Sequence, residues 1–333
     1  MMPMKKFIND PANLTKELLE GLTMCYSGKV KLVNEKIVAR AVPKDQGKVA
    51  IVTLGGAGHE PALSGFVGEG MLDASVVGDI FAAPGAPKVL EALRMFKRDA
   101  GILLVTLNHA GDRMSASKAL RDAQKEGIKV REIVTHEDIS AGIDIDPEEK
   151  RGLAGCIPLY KVIGAAAEAG KSLDEVAEIG ERFNQQMATL AVAMTGCTHP
   201  QNGGTIAVLP DDEMEIGMGQ HGEAGGGRTK ILTADETAAR MIEPLVKATG
   251  VKAGDTALLI INGVGATTLM EMLIVYRKAA QLLAAKGVKV TPGACGEYLT
   301  VQEMAGFQMI LCKLDADHAE YLKATARTPY WTA

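Results

Sequence analysis

Apolar residues in this chain gather into short β-branched runs, each followed by a glycine-rich turn and then by a stretch with helical periodicity. Lys48 to Leu54 leads into Gly55-Gly-Ala-Gly-His-Glu-Pro61, and Gly101 to Leu107 leads into Asn108-His-Ala-Gly-Asp112. Ser115 to Lys125 has helix-favouring composition, and Lys129 to Val134 gives a further strand. This rhythm is how parallel α/β sheets read. Pro158 to Ala169 and Ser172 to Gln186 predict two consecutive helices, after which Thr189 to Thr195 turns apolar again. Later, Thr256 to Ile261 reads as a strand, Asn262 to Thr268 as its loop, Leu269 to Ala285 as a long helix and Phe307 to Leu314 as a late strand. The expected architecture is two α/β domains, residues 1–186 and 187–333, each a mixed or mostly parallel sheet flanked by helices. No internal repeat is visible.

The length of 333 residues exceeds what one hydrophobic core usually organises, which supports the division in two. With 47% hydrophobic and 23% charged residues, both halves carry enough apolar material to fold. A net charge of -5 without any basic block argues against a nucleic-acid surface. The five cysteines are widely spread and form no C-x-x-C pair, so neither a disulfide framework nor a zinc site is indicated, and a reducing cytoplasm is the expected compartment. The first ten residues lack the apolar core of a signal peptide. The most apolar segment, Ala257 to Val275, is broken by Asn262, Gly263, Gly265 and Glu271, so no membrane insertion is expected.

In open parallel sheets ligands sit outside the carboxyl ends of the strands, which directs attention to three loops. Gly55, Gly56 and Gly58 let backbone approach a ligand closely, beside His59 and Glu60; a plain tight turn explains the glycines alone. Asp112 ends the second loop, where a general base would be useful, although helix capping accounts for it equally well. The third loop, Gly217-Met-Gly219-Gln-His221-Gly222-Glu223, sets a histidine in an expectedly exposed glycine-rich stretch; a neutral imidazole there is a nucleophile suited to a carbonyl carbon. Metal-ligating residue types are present, but no pair has the spacing that fixes a metal site, so none is expected. Neither a P-loop nor a dinucleotide fingerprint occurs. His136, His199 and His318 lie in charged or loop surroundings and read as surface residues.

Taken together, Gly55-Gly-Ala-Gly-His-Glu-Pro61, Asn108-His-Ala-Gly-Asp112 and Gly217-Met-Gly-Gln-His-Gly-Glu223 resemble, in order, the loops of the substrate-binding subunit of dihydroxyacetone kinases. The likeness runs essentially end to end, through Gly65-Phe-Val-Gly-Glu-Gly-Met-Leu72, Val162 to Ala167 and Met304-Ala-Gly306. The resemblance implies that His221 forms a covalent hemiaminal with a ketose carbonyl, that His59 hydrogen-bonds the substrate and assists proton movement, and that Asp112 takes the proton of the attacking hydroxyl. Gly55, Gly56 and Gly58 would shape the pocket. It further implies a homodimer, with no cofactor on this chain. ADP or ATP with magnesium would sit on a separate helical nucleotide-binding subunit, recharged by a phosphotransferase-system protein or using ATP directly. The chain departs from the pattern at Leu107, where the family has Lys, and at Ala82 and Ala83, where it has Thr and Ser. Lost polar partners shift the expected preference from dihydroxyacetone towards another short ketose such as erythrulose. The family also includes ketose-sensing transcriptional coactivators, which stand as the alternative reading.

Overall fold

Several helix starts are written in paired polar residues: Ser172 with Glu175, Thr233 with Glu236 and Thr268 with Glu271 each form a reciprocal capping box. The computed structural model describes residues 4–333. The chain opens with α1 (Leu14–Cys25) and the strands β1 (Val30–Asn34) and β2 (Ile37–Arg40). It continues through β3 (Ala50–Ala57), β4 (Ala74–Ile80), α2 (Ala86–Met95), β5 (Ile102–Leu107), α3 (Ala110–Lys125) and β6 (Val130–Thr135). Helices α4 (Cys156–Glu168) and α5 (Leu173–Gln185) come next. The second half holds β7 (Met187–Ala193), the small pair β8 (Cys197–Thr198) and β9 (Thr205–Ile206), β10 (Glu213–Ile216), β11 (Gly227–Lys230) and α6 (Ala234–Thr249). It ends with β12 (Thr256–Gly263), α7 (Leu269–Ala285), β13 (Lys289–Val290), β14 (Ala294–Gly296), β15 (Gly306–Leu314) and α8 (Ala316–Lys323).

The first sheet has the order β1-β2-β4-β3-β5-β6, with β3 parallel to β4 and β5, and β5 parallel to β6. The second has the order β11-β10-β7-β15-β12-β13, and β14 also pairs with β12. Its central pairs, β7 with β15 and β15 with β12, are antiparallel. Its β12–β13 and β12–β14 pairs are parallel, so the second sheet is mixed and the first mostly parallel, as expected, although the sequence rhythm alone does not tell the antiparallel pairs from the parallel ones. A strand covered on both faces is a continuous apolar run whichever way its neighbour points.

Alternation along single strands shows the layering. Leu103 and Val105 of β5 face one core with α4 and α5, while Ile102 and Leu104 face α2 and α3. Ile310 and Cys312 of β15 join the α4–α5 core from the opposite side, while Met309 and Leu311 face α6 and α7. Helices α4 and α5 thus fill the space between the two sheets. Helix α4 is buried almost all round, which its apolar sequence requires. The turn at Gln186 separates α5 from β7, and the chain's end returns to the first half: α8 packs on α4, and Arg327 pairs with Glu69. His318, expected at the surface, is fully buried with its ring edge-on to Phe183 and its Nε2 3.3 Å from the carbonyl of Ile179. Its charged neighbours in sequence misled because a helix gives one face to the core whatever flanks it.

Candidate active site

The carboxyl end of β3 runs against the segment that follows β4. A Cβ on Gly56 would stand 2.7 Å from the Ala82 amide nitrogen, so only glycine allows the two backbones to touch. Gly58 has φ +102, and its N–H donates to the Glu60 carboxylate. His59 follows, 5% exposed and pinned. Its Nδ1 lies 2.8 Å from the Thr300 carbonyl, which can only accept, so Nδ1 carries the proton. Thr300 returns its own N–H to the His59 carbonyl and its hydroxyl to that of Glu60. Burial, then the charge of His221, pushes the His59 imidazole down to about 3.

The carboxyl end of β5 leads directly into α3. The N-cap of α3 is His109, so Asp112 lies inside the first turn and caps nothing. Its side chain is buried and Oδ1 has no hydrogen-bond partner. Burial pushes this carboxyl up to about 7, with the charge of His221 pulling the other way. Capping, the bland explanation left open by the sequence, does not hold.

The third loop joins β10 to β11. Gly217 and Gly222 adopt φ +93 and +79, which turn the chain back on itself. Arg151 fastens the loop from outside: it donates to the Gly217 carbonyl at 2.6 Å and is itself held by Asp138. Glu223 grips His221 twice, accepting from its backbone N–H at 2.9 Å and meeting Nδ1 at 3.1 Å. Burial alone would raise the Glu223 carboxyl, but the hydrogen bond and charge of His221 outweigh it and hold it well below its ordinary range. The loop is less open than the sequence implies: Gln220 is buried and His221 half-buried.

These loops meet at a cavity of about 240 Å³, whose wall includes His59, Asp112 and His221 together with Gly55 and Gly56. Gly58, expected to shape the pocket, does not line it. Leu107, Ala82 and Ala83 line the same space and give it an apolar side. His59 Nε2 lies 3.2 Å from His221 Nε2, and Phe81 packs on both rings. With Nδ1–H of His59 committed to Thr300 and Nδ1–H of His221 directed at Glu223, two lone pairs would face each other. One proton in the gap turns that repulsion into a hydrogen bond. The Nε2 lone pair of His221 thus stands beside a second imidazole that can pass on a proton it holds only weakly, an arrangement suited to addition to a carbonyl. A wider, mostly apolar cavity lies across Gly55 and Gly56 under α1 and contains no histidine.

His109 escaped the sequence reading although its loop was singled out. It stands 4.9 Å from His221 between ring centres, with Nε2 2.8 Å from the Gly152 carbonyl. Burial, then the charge of His221, pushes it down to about 4. Among the described residues, His109, His221 and Glu223 are the one group of potential metal ligands that converges. Arg151 and Thr300 were equally invisible, since neither lies in a recognisable motif.

The Dak1 domain model matches residues 20–330. The dihydroxyacetone-binding subunit DhaK of a PTS-dependent dihydroxyacetone kinase from Listeria innocua is 38% identical, over 98% of this chain and all of the relative. An L-erythrulose kinase from Pectobacterium atrosepticum is 35% identical over 98% of this chain, which spans 56% of that longer protein. Among solved structures, a dihydroxyacetone kinase operon co-activator superposes with a TM-score of 0.88 at 32% identity, covering 94% of this chain and 96% of the other. Carried by three loops that converge on one histidine-rich cavity, the match over nearly the whole length makes this chain a member of the Dak1 domain family.

Proposed function

We propose that this chain is the ketose-holding subunit of a dihydroxyacetone-kinase-type phosphotransferase, capturing a short ketose as a hemiaminal on His221. The observation that carries the reading is the 3.2 Å His59–His221 contact in one cavity with the unpartnered oxygen of Asp112. With the shared proton on His59, the Nε2 lone pair of His221 attacks the ketone carbon, and the carbonyl π pair moves to oxygen. That oxygen takes the proton from His59 Nε2, which returns to its neutral form. His221 is left alkylated at Nε2 and protonated at Nδ1, a cation facing the Glu223 carboxylate at 3.1 Å. Burial disfavours protonated His59, which makes it a ready acid towards the developing alkoxide.

Asp112 serves as base in the transfer step. As a substrate hydroxyl attacks the γ-phosphorus of the nucleotide, its proton passes to the carboxylate and the bond to the β–γ bridging oxygen breaks, releasing ADP. The phosphoryl group is supplied by a helical nucleotide-binding subunit with ADP or ATP and magnesium, recharged where needed by a phosphotransferase-system protein; this chain carries no phosphate loop. A polyol without a carbonyl cannot form the bond. A cytoplasmic homodimer is the assembly consistent with the family resemblance.

The likeness to an operon co-activator supports a second reading, a ketose sensor without catalysis. Asp112 favours the enzyme, because a sensor has no use for a buried, unpartnered base. The test is to titrate dihydroxyacetone and erythrulose by calorimetry into wild type and His221→Ala, then add a family nucleotide-binding subunit with its phosphoryl donor. Binding that depends on His221, followed by ketose phosphate, supports the enzyme. Binding without phosphate selects the sensor, and binding indifferent to His221 overturns both.

A further inference from the structure

His109 has no role in the chemistry above, yet it faces the reacting histidine. It enters from the start of α3, while His221 and Glu223 come from the β10–β11 loop, and the three offer one ligand atom each within 4.8 Å of one another. Nε2 of His109 lies 2.8 Å from the Gly152 carbonyl, which can only accept, so Nε2 carries the proton, the Gln220 amide 2.9 Å away turns its oxygen towards it, and the lone pair of His109 is on Nδ1. An imidazole anchored through one nitrogen to a carbonyl, with the other free, is the outer-sphere arrangement of metal-bound histidines. The Glu223 carboxylate brings the negative charge such a site needs. A further buried acceptor in the same cavity wall, Asp112 Oδ1, has no donor. Water on a bound cation would supply an O–H group to such an acceptor. Two imidazoles and one carboxylate suit zinc-class divalent ions, which keep an open fourth position, and do not suit magnesium or calcium, which prefer oxygen.

We propose that His109, His221 and Glu223 form a site for a zinc-class divalent cation, and that this ion and the ketose compete for His221. The competition rests on the proposed role of His221; the ion site itself does not. A cation that takes the His221 lone pair removes the nucleophile, so zinc acts as a reversible block on carbonyl capture, lifted when the ion is withdrawn.

The experiment titrates the full chain with zinc chloride, and separately with magnesium chloride, by calorimetry, using wild type, His109→Ala and His109→Asn. Thermal melting checks that both variants are folded. Wild type is expected to bind one zinc ion and to ignore magnesium, and both variants to bind zinc at least about tenfold more weakly. Dihydroxyacetone is then titrated with and without saturating zinc. Zinc is expected to weaken ketose binding at least about tenfold in wild type and to leave it unchanged in the variants. Zinc bound equally well by both variants, or no zinc binding at all, overturns the site. Zinc binding without effect on the ketose overturns the competition. Failure of dihydroxyacetone to bind in the absence of metal counts against the ketose reading alone, because the zinc titration still decides the ion site.

Discussion

His59 Nε2 and His221 Nε2 stand 3.2 Å apart although 162 residues separate them in the chain. Each ring has its far nitrogen held, by the Thr300 carbonyl on one side and the Glu223 carboxylate on the other. The two near nitrogens therefore face each other with their orientations set.

Replacing His221 with Ala is expected to abolish the calorimetric signal for dihydroxyacetone. The side chain is half-buried, so stability should change by about 1 kcal/mol or less. Retained ketose binding would refute covalent capture.

His59→Asn is expected to lower kcat/KM for phosphorylation by about a hundredfold, the ordinary worth of a positioned proton donor. It also leaves the buried Thr300 carbonyl without its imidazole donor, at a cost of about 1 to 3 kcal/mol seen in denaturant melts. A variant of unchanged rate would restrict His59 to packing.

Asp112 sets a pH dependence of definite sign. A carboxyl raised to about 7 is protonated below that pH, so phosphoryl transfer should rise as pH increases through 7, and Asp112→Asn should lose the transfer step. Stability moves the other way. The folded chain holds this proton more tightly than the unfolded chain, so the contribution is full below the ordinary carboxylate range and is lost as pH rises through about 7. Melting temperature against pH should flatten in Asp112→Asn, and an unchanged curve would rule the linkage out.

Leu107, Ala82 and Ala83 give the pocket a wall without polar side chains. Introducing Leu107→Lys with Ala82→Thr and Ala83→Ser, the residues of the resembling family, should improve dihydroxyacetone affinity relative to erythrulose. A hydroxyl that gains a buried partner is worth about 1 to 3 kcal/mol. Paired calorimetric titrations read the ratio directly, and an unmoved ratio would mean that these positions do not set preference.

Gly164 tests the layering. A Cβ there would come 2.5 Å from the Cα of Met71, between α4 and the loop before β4. Gly164→Ala should therefore cost about 1 to 3 kcal/mol in denaturant unfolding while leaving ketose affinity intact in the folded population.

Much of this was legible in the sequence. The β3, β5, β12 and β15 strands stand out because each is a mostly apolar run buried on both faces, and α7 because Thr268 and Glu271 announce its start. The short strands β1, β2 and β10 are too brief to carry a period, and β4 is interrupted by Gly78 and Asp79. His59, Asp112 and His221 were legible because glycines surround them. His109 and Arg151 were not, since a side chain that acts by reaching another loop leaves no local pattern.

The clamp of Thr300 on His59 has a consequence for the chain as it is made. The imidazole near the amino terminus receives its orienting partner from a residue 241 positions later, and His221 is not paired until both are in place. A nascent polypeptide leaving the ribosome therefore carries these histidines without their mutual alignment until Thr300 has emerged. The proposed carbonyl trap is complete only once that late residue has folded back onto His59.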